Sequence, residues 1–293
     1  MFIKNSRLDR FILALNTSLL IFAVLLVIIP LIYVVIASFM DPSVLLSRGL
    51  SFNISDWSLQ GYQKILSNPA MIRGFGNAIF YASAFALVTV LVSICAGYAL
   101  SDSRLKGRGF FMTLFIITMF FGGGLVPTYL LVKNLGMLNT VWAVIIPGAV
   151  NVWNIILSRT FFKGVPNELR EAANVDGASE ARIFLSIVLP LSKPIIFVLA
   201  LYAFVGQWNS YFDAMIYLDN PSLHPLQLVL RSILIQNQVD PSMISDQLAM
   251  AEMKKLSEII KYAAIVVSSL PLLVMYPFFQ KYFEKGVMVG SLK

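Results

Sequence analysis

The sequence predicts an all-α integral membrane protein of six transmembrane helices with both termini on the cytoplasmic side. Three observations carry that prediction. Of the 293 residues, 58% are hydrophobic, against roughly 45–50% in an ordinary soluble domain. Six apolar runs reach the roughly 20 residues that a helix needs to cross a bilayer, at about 11–39, 75–100, 110–131, 138–160, 194–218 and 260–283. The basic residues gather on one side of those runs, which orients the chain. Lys4, Arg7 and Arg10 precede the first run, and Arg104, Lys106 and Arg108 lie between the second and third. Arg159, Lys163, Arg170, Arg182 and Lys193 flank or fill the connection between the fourth and fifth, and Lys281, Lys285 and Lys293 follow the sixth.

The first run is too long for the core of a secretory signal and lacks a small-residue cleavage pattern, so it reads as a retained anchor. The net charge of +7 follows the ends of apolar runs rather than an aromatic-studded patch, which argues against nucleic acid. The lone cysteine, Cys95, lies inside an apolar run and reads as a small packing residue. Two connections on the outer side are long. Residues 40–74 hold Pro42, Trp57, Tyr62 and Pro69. Residues 219–259 hold Pro221, Pro225 and Pro241 and then a helix from about Ser245, carrying Lys254, Lys255 and Glu258, that runs into the last span. The single histidine, His224, sits in that second loop, and no GxxxxGK[ST] loop occurs. The chain therefore lacks the parts of a nucleotide site or a nucleophilic catalytic set, and it reads as a non-enzyme that binds no metal.

Between the fourth and fifth runs, residues 171–190 read EAANVDGASEARIFLSIVLP. So charged a stretch cannot lie in hydrocarbon and must fold beside the membrane. Pro166 suits the first turn of a helix, and Asn167–Val175 reads as that helix, with Glu168 and Glu171 near its positive end. Gly177 is placed to terminate it, Ser179 to cap a second helix running to about Val188, and Pro190 and Pro194 to turn the chain back into the membrane. Ala172, Ala173 and Ala178 give the bend a small-residue surface that a partner could approach closely. An ordinary amphipathic connector is the alternative.

This stretch resembles the EAA loop of binding-protein-dependent ABC importer permeases, whose pattern is EAA, three residues, glycine, then about nine residues to I-x-LP. Glu171-Ala172-Ala173, Asp176-Gly177-Ala178, Phe184, Ile187, Leu189-Pro190 and Pro194 fall on it. The resemblance implies the type I importer (MetI-like) permease fold, with residues 1–70 as an added helix and outer loop and 71–293 as a five-helix core. It implies that residues 166–192 dock on an ATPase subunit, with Glu171, Ala172, Ala173, Asp176, Gly177, Ala178 and Arg182 at the coupling surface. It also implies a second permease subunit, two ATP-binding subunits that carry ATP and magnesium, an extracytoplasmic solute-binding protein, and a place in the bacterial inner membrane. Trp208-Asn209, Gln280-Lys281-Tyr282-Phe283 with Gly286, the run Gly122–Tyr129 and the tail Gly286–Leu292 are similar to MalG-type sugar permeases, including those for complex oligosaccharides and the alginate importer.

Polar residues inside spans face bundle interiors or water-filled cavities. At 100° per residue, Tyr202, Gly206, Asn209, Ser210, Asp213 and Tyr217 share one arc of the fifth span, and Thr140, Pro147, Asn151, Asn154 and Ser158 one face of the fourth. Hydroxyls and amides beside aromatic rings suit a saccharide, so these residues are candidates for its pathway; hydrogen bonding between helices is the alternative. Asp213 lies nearest the outer end, where an ionised carboxylate would bias the pathway against dense anions; it could instead pair with Arg73 or Arg231. Gly122–Gly124 followed by Pro127 predicts a weakened or kinked third span. A secondary transporter or channel is the rival class, but it calls for mid-membrane ionisable residues, and only Asp213 comes close.

Overall fold

The computed structural model describes residues 6–236 and 260–280. The expected helix from Ser245, the tail Gly286–Leu292, and Lys4, Lys281, Lys285 and Lys293 lie outside them. The described residues are all helical save for short turns and one isolated bridge between Met40 and Trp57. Among the described residues, three helices are long and apolar enough to cross a membrane, or up to five spans if each of two sharply bent helix pairs counts as one. The chain divides into two compact units, Met1–Asn68 with Ser232–Leu270 and Pro69–Arg231 with Pro271–Lys293.

In the first unit, α1 (Arg7–Ser38) starts earlier than its apolar run because Ser6 and Asp9 form a reciprocal capping box. Its side chains are exposed until the last turn. There Ser38 Oγ lies 2.7 Å from the Tyr62 hydroxyl, and Phe39 packs on Trp57 and Tyr62. Asp41 caps α2 (Pro42–Arg48) through the Ser43 amide, and α3 (Gln60–Ser67) follows.

The second unit is built on α4 (Pro69–Ser101), whose Pro69 needs no amide partner in the first turn. Its 33 residues extend about 50 Å. The third apolar run is two helices, α5 (Arg108–Phe120) and α6 (Leu125–Asn134), set at 111° across the glycines at 122–124. Gly124 has φ +83°, a conformation glycine adopts at no steric cost. The fourth run is not one long helix either. The short α7 (Trp142–Ile145) ends before Pro147-Gly148, and α8 (Val152–Lys163) begins where Asn151 accepts from the Asn154 amide at 3.2 Å. Proline has no amide to continue the ladder, so the capping asparagine starts a new helix.

After α8 come α9 (Asn167–Val175) and α10 (Glu180–Ile183), then a π-helical turn Phe184–Val188 and α11 (Leu189–Leu191). A 77° bend at Ser192 leads into α12 (Lys193–Trp208), and α13 (Phe212–Tyr217) and α14 (Leu226–Gln236) follow. The last described helix, α15 (Ile260–Gln280), brings Phe279 edge-on to Phe197 of α12. α4 packs along both α8 and α12. The approach to α8 is close enough that a Cβ on Gly97 would sit 2.4 Å from Ser158 Cβ.

Candidate functional site: a two-helix element strapped to α4

The element α9–α10 follows from local chemistry. Pro166 stands at the cap rather than inside the first turn, with ψ 130°, and the helix begins at Asn167. At the other end the Gly177 amide donates to the Asn174 carbonyl at 3.0 Å and the Ala178 amide to that of Ala173 at 3.0 Å. With φ +77° at Gly177, this is the six-to-one and five-to-two closure of a Schellman motif. Ser179 then caps α10, its hydroxyl accepting from the Arg182 amide at 3.3 Å.

The two helices are rooted in the bundle. Ala173 and Ile183 are buried with Val90 and Ile94 of α4, Phe162 of α8 and Leu199 of α12. The three alanines therefore do not form one outward face: Ala173 points into the core, Ala178 is half-buried against it, and Ala172 is exposed. The i, i+1 step along a helix turns neighbouring side chains about 100° apart, which separates Ala172 from Ala173. Glu171, Asp176 and Arg182 are exposed, and among the described residues their side chains make no hydrogen bond or ion pair. Val175, at the tip, is 88% exposed. Sequence pattern alone does not single out this valine. Its signal is an apolar residue directly before Asp176-Gly177, where a helix end that touched only water would not need one.

A second feature went unread in the sequence. Asp102, just beyond α4, accepts from Arg104 Nη2 and Arg170 Nη2 at 2.8 Å each on one oxygen, Oδ2. Arg104 Nη2 also reaches Glu180 Oε1 at 2.6 Å, and Arg170 lies 3.8 Å from Glu180 Oε2. The Arg170 guanidinium stands over the Tyr98 ring, 5.0 Å from its centroid, and that ring packs on Phe184 and Phe162. Hydrogen bonds from the Arg104 side chain hold the Asp102 carboxyl well below the usual carboxylate range, with partial burial opposing them. The sequence signal was available: each of two loops assigned to one side carries both charge signs.

The candidate pathway residues divide. Tyr202, Gly206 and Asn209 lie exposed along α12, although Asn209 Nδ2 donates back to the Val205 carbonyl at 2.8 Å. The helix breaks at Asn209–Tyr211, where Ser210 is half-buried, so the arc does not run on continuously to Asp213 and Tyr217. Asp213 is half-buried in the first turn of α13, while Tyr217 is buried and stacks on Tyr129 at 6.2 Å. Arg231 stands over Tyr211 at 5.2 Å, not on Asp213. In the fourth run Asn151 is exposed and serves as a cap, and Asn154 and Ser158 are buried, with the Ser158 hydroxyl on the Asn154 carbonyl. Thr140 likewise turns its hydroxyl to a backbone carbonyl, that of Met137.

Three side chains, two in the first half of α4 and one before α7, hold residues 219–224. Asn77 Nδ2 donates to the Ser222 and His224 carbonyls at 2.9 and 3.1 Å, and the Tyr81 hydroxyl to that of Leu223 at 2.8 Å. Asn139 Oδ1 accepts from the Asp219 amide at 2.6 Å.

A helical bundle of broken and bent spans, with a charged two-helix element rooted in its core, defines a membrane transport subunit. The chain belongs to the family described as binding-protein-dependent transport system inner membrane component, matched over residues 94–289. It is 38% identical over 266 residues to the protein LplC of Bacillus subtilis, covering 91% of this chain and 89% of that one. It is also 38% identical over 294 residues to the polygalacturonan/rhamnogalacturonan transport system permease protein YtcP of the same organism, covering 99% of both. Among solved structures it resembles a bacterial ABC transporter involved in the import of the acidic polysaccharide alginate. The TM-score there is 0.85 at 29% identity, over 96% of this chain and 100% of that one.

Proposed function

We propose that this chain is one of two permease subunits of an ATP-driven importer that moves an oligosaccharide from an extracytoplasmic binding protein into the cytoplasm, and that residues 166–192 dock on an ATPase subunit. The observation that carries the docking is the surface of α9–α10, where Val175, Glu171, Asp176 and Arg182 project from an element whose opposite face is buried. These side chains have no partner among the described residues, which leaves the face open to another protein. ATP and magnesium belong to the two partner subunits, and this chain binds no cofactor and catalyses no reaction itself.

The saccharide reading rests on the relatives, one named for polygalacturonan and rhamnogalacturonan and one solved structure for the acidic polysaccharide alginate. Acidic oligosaccharides are therefore included among the cargoes. Tyr202, Asn209, Ser210, Asp213, Tyr217, Asn151 and Asn154 are the pathway candidates, with exposed Tyr202 and Asn209 foremost. The topology proposed is six spans in the bacterial inner membrane with both termini cytoplasmic, residues 71–293 forming the five-helix core. Support comes from which loops meet: Asp102 joins Arg170 at one end of α4, and Asn77 and Tyr81 join 222–224 at the other.

The test is ATPase activity of the complete reconstituted complex, with its binding protein empty or loaded from a digest of polygalacturonan, alginate or maltodextrin. Glu171→Lys or Gly177→Asp is expected to abolish stimulation while the two permease subunits still assemble. Stimulation that survives both changes would reduce residues 166–192 to a connector.

A further inference from the structure

The ring Asp102–Arg104–Glu180–Arg170 joins parts of the chain that the backbone does not. α9 and α10 are tied covalently to α8 on one side and to α11–α12 on the other. Besides the packing of Ala173 and Ile183 on Val90 and Ile94, they are linked to the end of α4 through Arg170, which reaches Asp102, 68 positions away in sequence. We propose that this ring is a strap that makes residues 167–183 and the end of α4 move as one body, with Asp102 and Arg170 as its positioning residues. The inference rests on the coupling reading above, and it adds the route by which a displacement at the ATPase face reaches the longest helix of the unit.

Geometry and burial say which of the four contacts matters. The Arg170 and Asp102 side chains are 14% and 20% exposed, whereas Arg104 and Glu180 are 61% and 52% exposed. Exposed pairs are screened and contribute little, so the Arg104–Glu180 contact closes the ring without being its core. Arg170 is fixed on two sides, its edge on Asp102 Oδ2 and its face on Tyr98. A planar guanidinium offers an edge to the carboxylate and a face to the ring, a geometry an ammonium lacks. Asp102 is fixed in turn, since the Arg104 amide donates to its Oδ1 at 2.8 Å in an Asx turn. Tyr98 belongs to α4 itself and packs on Phe162 of α8 and Phe184 beyond α10. The strap thus ends on a residue wedged among three segments. Because α4 packs along both α8 and α12, moving its end together with α9–α10 moves the bundle rather than one loop.

The experiment uses the complete importer complex in lipid nanodiscs, in a Cys95→Ser background, with spin labels at Lys106→Cys and Asn174→Cys, both exposed positions. The label separation is measured by dipolar electron paramagnetic resonance, without nucleotide and after trapping with ATP and vanadate. One narrow distance, the same in both states, is expected with the strap intact. Arg170→Met and Asp102→Asn should each broaden that distance and make it nucleotide-dependent while the ATPase subunits still co-purify. Asp102→Glu, which keeps the charge, should return it toward the narrow value. Narrow, nucleotide-independent distances in Arg170→Met and Asp102→Asn would overturn the strap, as would a nucleotide-dependent distance with the strap intact. A Glu171→Lys complex that keeps full ATPase stimulation would instead overturn the coupling reading, and the transmitting role with it, whatever the distances.

Discussion

Gly177 and Val175 sit two residues apart and do opposite things. Gly177 shapes the bend: its φ of +77° is strained for any residue with a Cβ, yet no atom lies within 4 Å of where that Cβ would go. Gly177→Ala should therefore cost backbone strain alone, about 1–2 kcal/mol, read as a lower melting temperature of the purified chain without loss of assembly. Val175 shapes nothing internal, being 88% exposed. Val175→Asp should leave the melting temperature unchanged and abolish co-purification of the ATPase subunit; retention of that subunit would remove Val175 from the docking surface. Asp102 adds a pH signature. Its folded carboxyl titrates below the ordinary carboxylate range because Arg104 and Arg170 hold it, so its contribution is complete above about pH 4, the unfolded value. The contribution declines as pH falls below that toward the folded value. Melting temperatures of wild type and Asp102→Asn should differ by a constant amount from pH 5 to 8 and converge only in stronger acid.

At the level of elements, the packing of α4 on α8 hangs on a missing side chain. A Cβ on Gly97 meets Ser158 Cβ at 2.4 Å and the Arg159 amide nitrogen at 2.9 Å, and backbone atoms cannot step aside as a flexible side chain can. Gly97→Val should separate the helices and cost stability in the upper part of the 1–3 kcal/mol range seen for overpacked cores, measured as loss of monodisperse protein in detergent. The helices that were legible in the sequence are those with their own punctuation. α9 was readable because Pro166 and Gly177 bracket it, and the break between α5 and α6 because three glycines announce it. α7 and α8 were read as one span because an apolar window counts side chains and is blind to the backbone turn at Pro147-Gly148. The charge ring is illegible for another reason: pairing Asp102 with Arg170 requires knowing that the end of α4 lies beside α9, which no local pattern encodes. Of the alanine trio, composition gave the small face, but helix rotation sent Ala173 inward.

At the scale of the whole molecule, the described loops of the second unit meet in two sets. Residues 102–104 meet 170–180 at one end of α4, and Asn77, Tyr81 and Asn139 hold 219–224 at the other. In a Cys95→Ser background, Lys106→Cys and Glu168→Cys should be labelled by a membrane-impermeant maleimide only in inverted vesicles, and Ser222→Cys only in right-side-out cells. Any other pattern would contradict the six-span topology. The turn between α5 and α6 carries a further demand on its surroundings. Among the described residues the amides of Gly122 and Gly123 donate to no carbonyl, and Gly122 has nothing within 4 Å of a would-be Cβ. A peptide group left unsatisfied in hydrocarbon costs several kcal/mol. In the six-span topology proposed above, lipid tails are therefore the one neighbour this turn cannot have: at the break the three glycines announce, hydration or a second polypeptide has to reach the chain's own backbone.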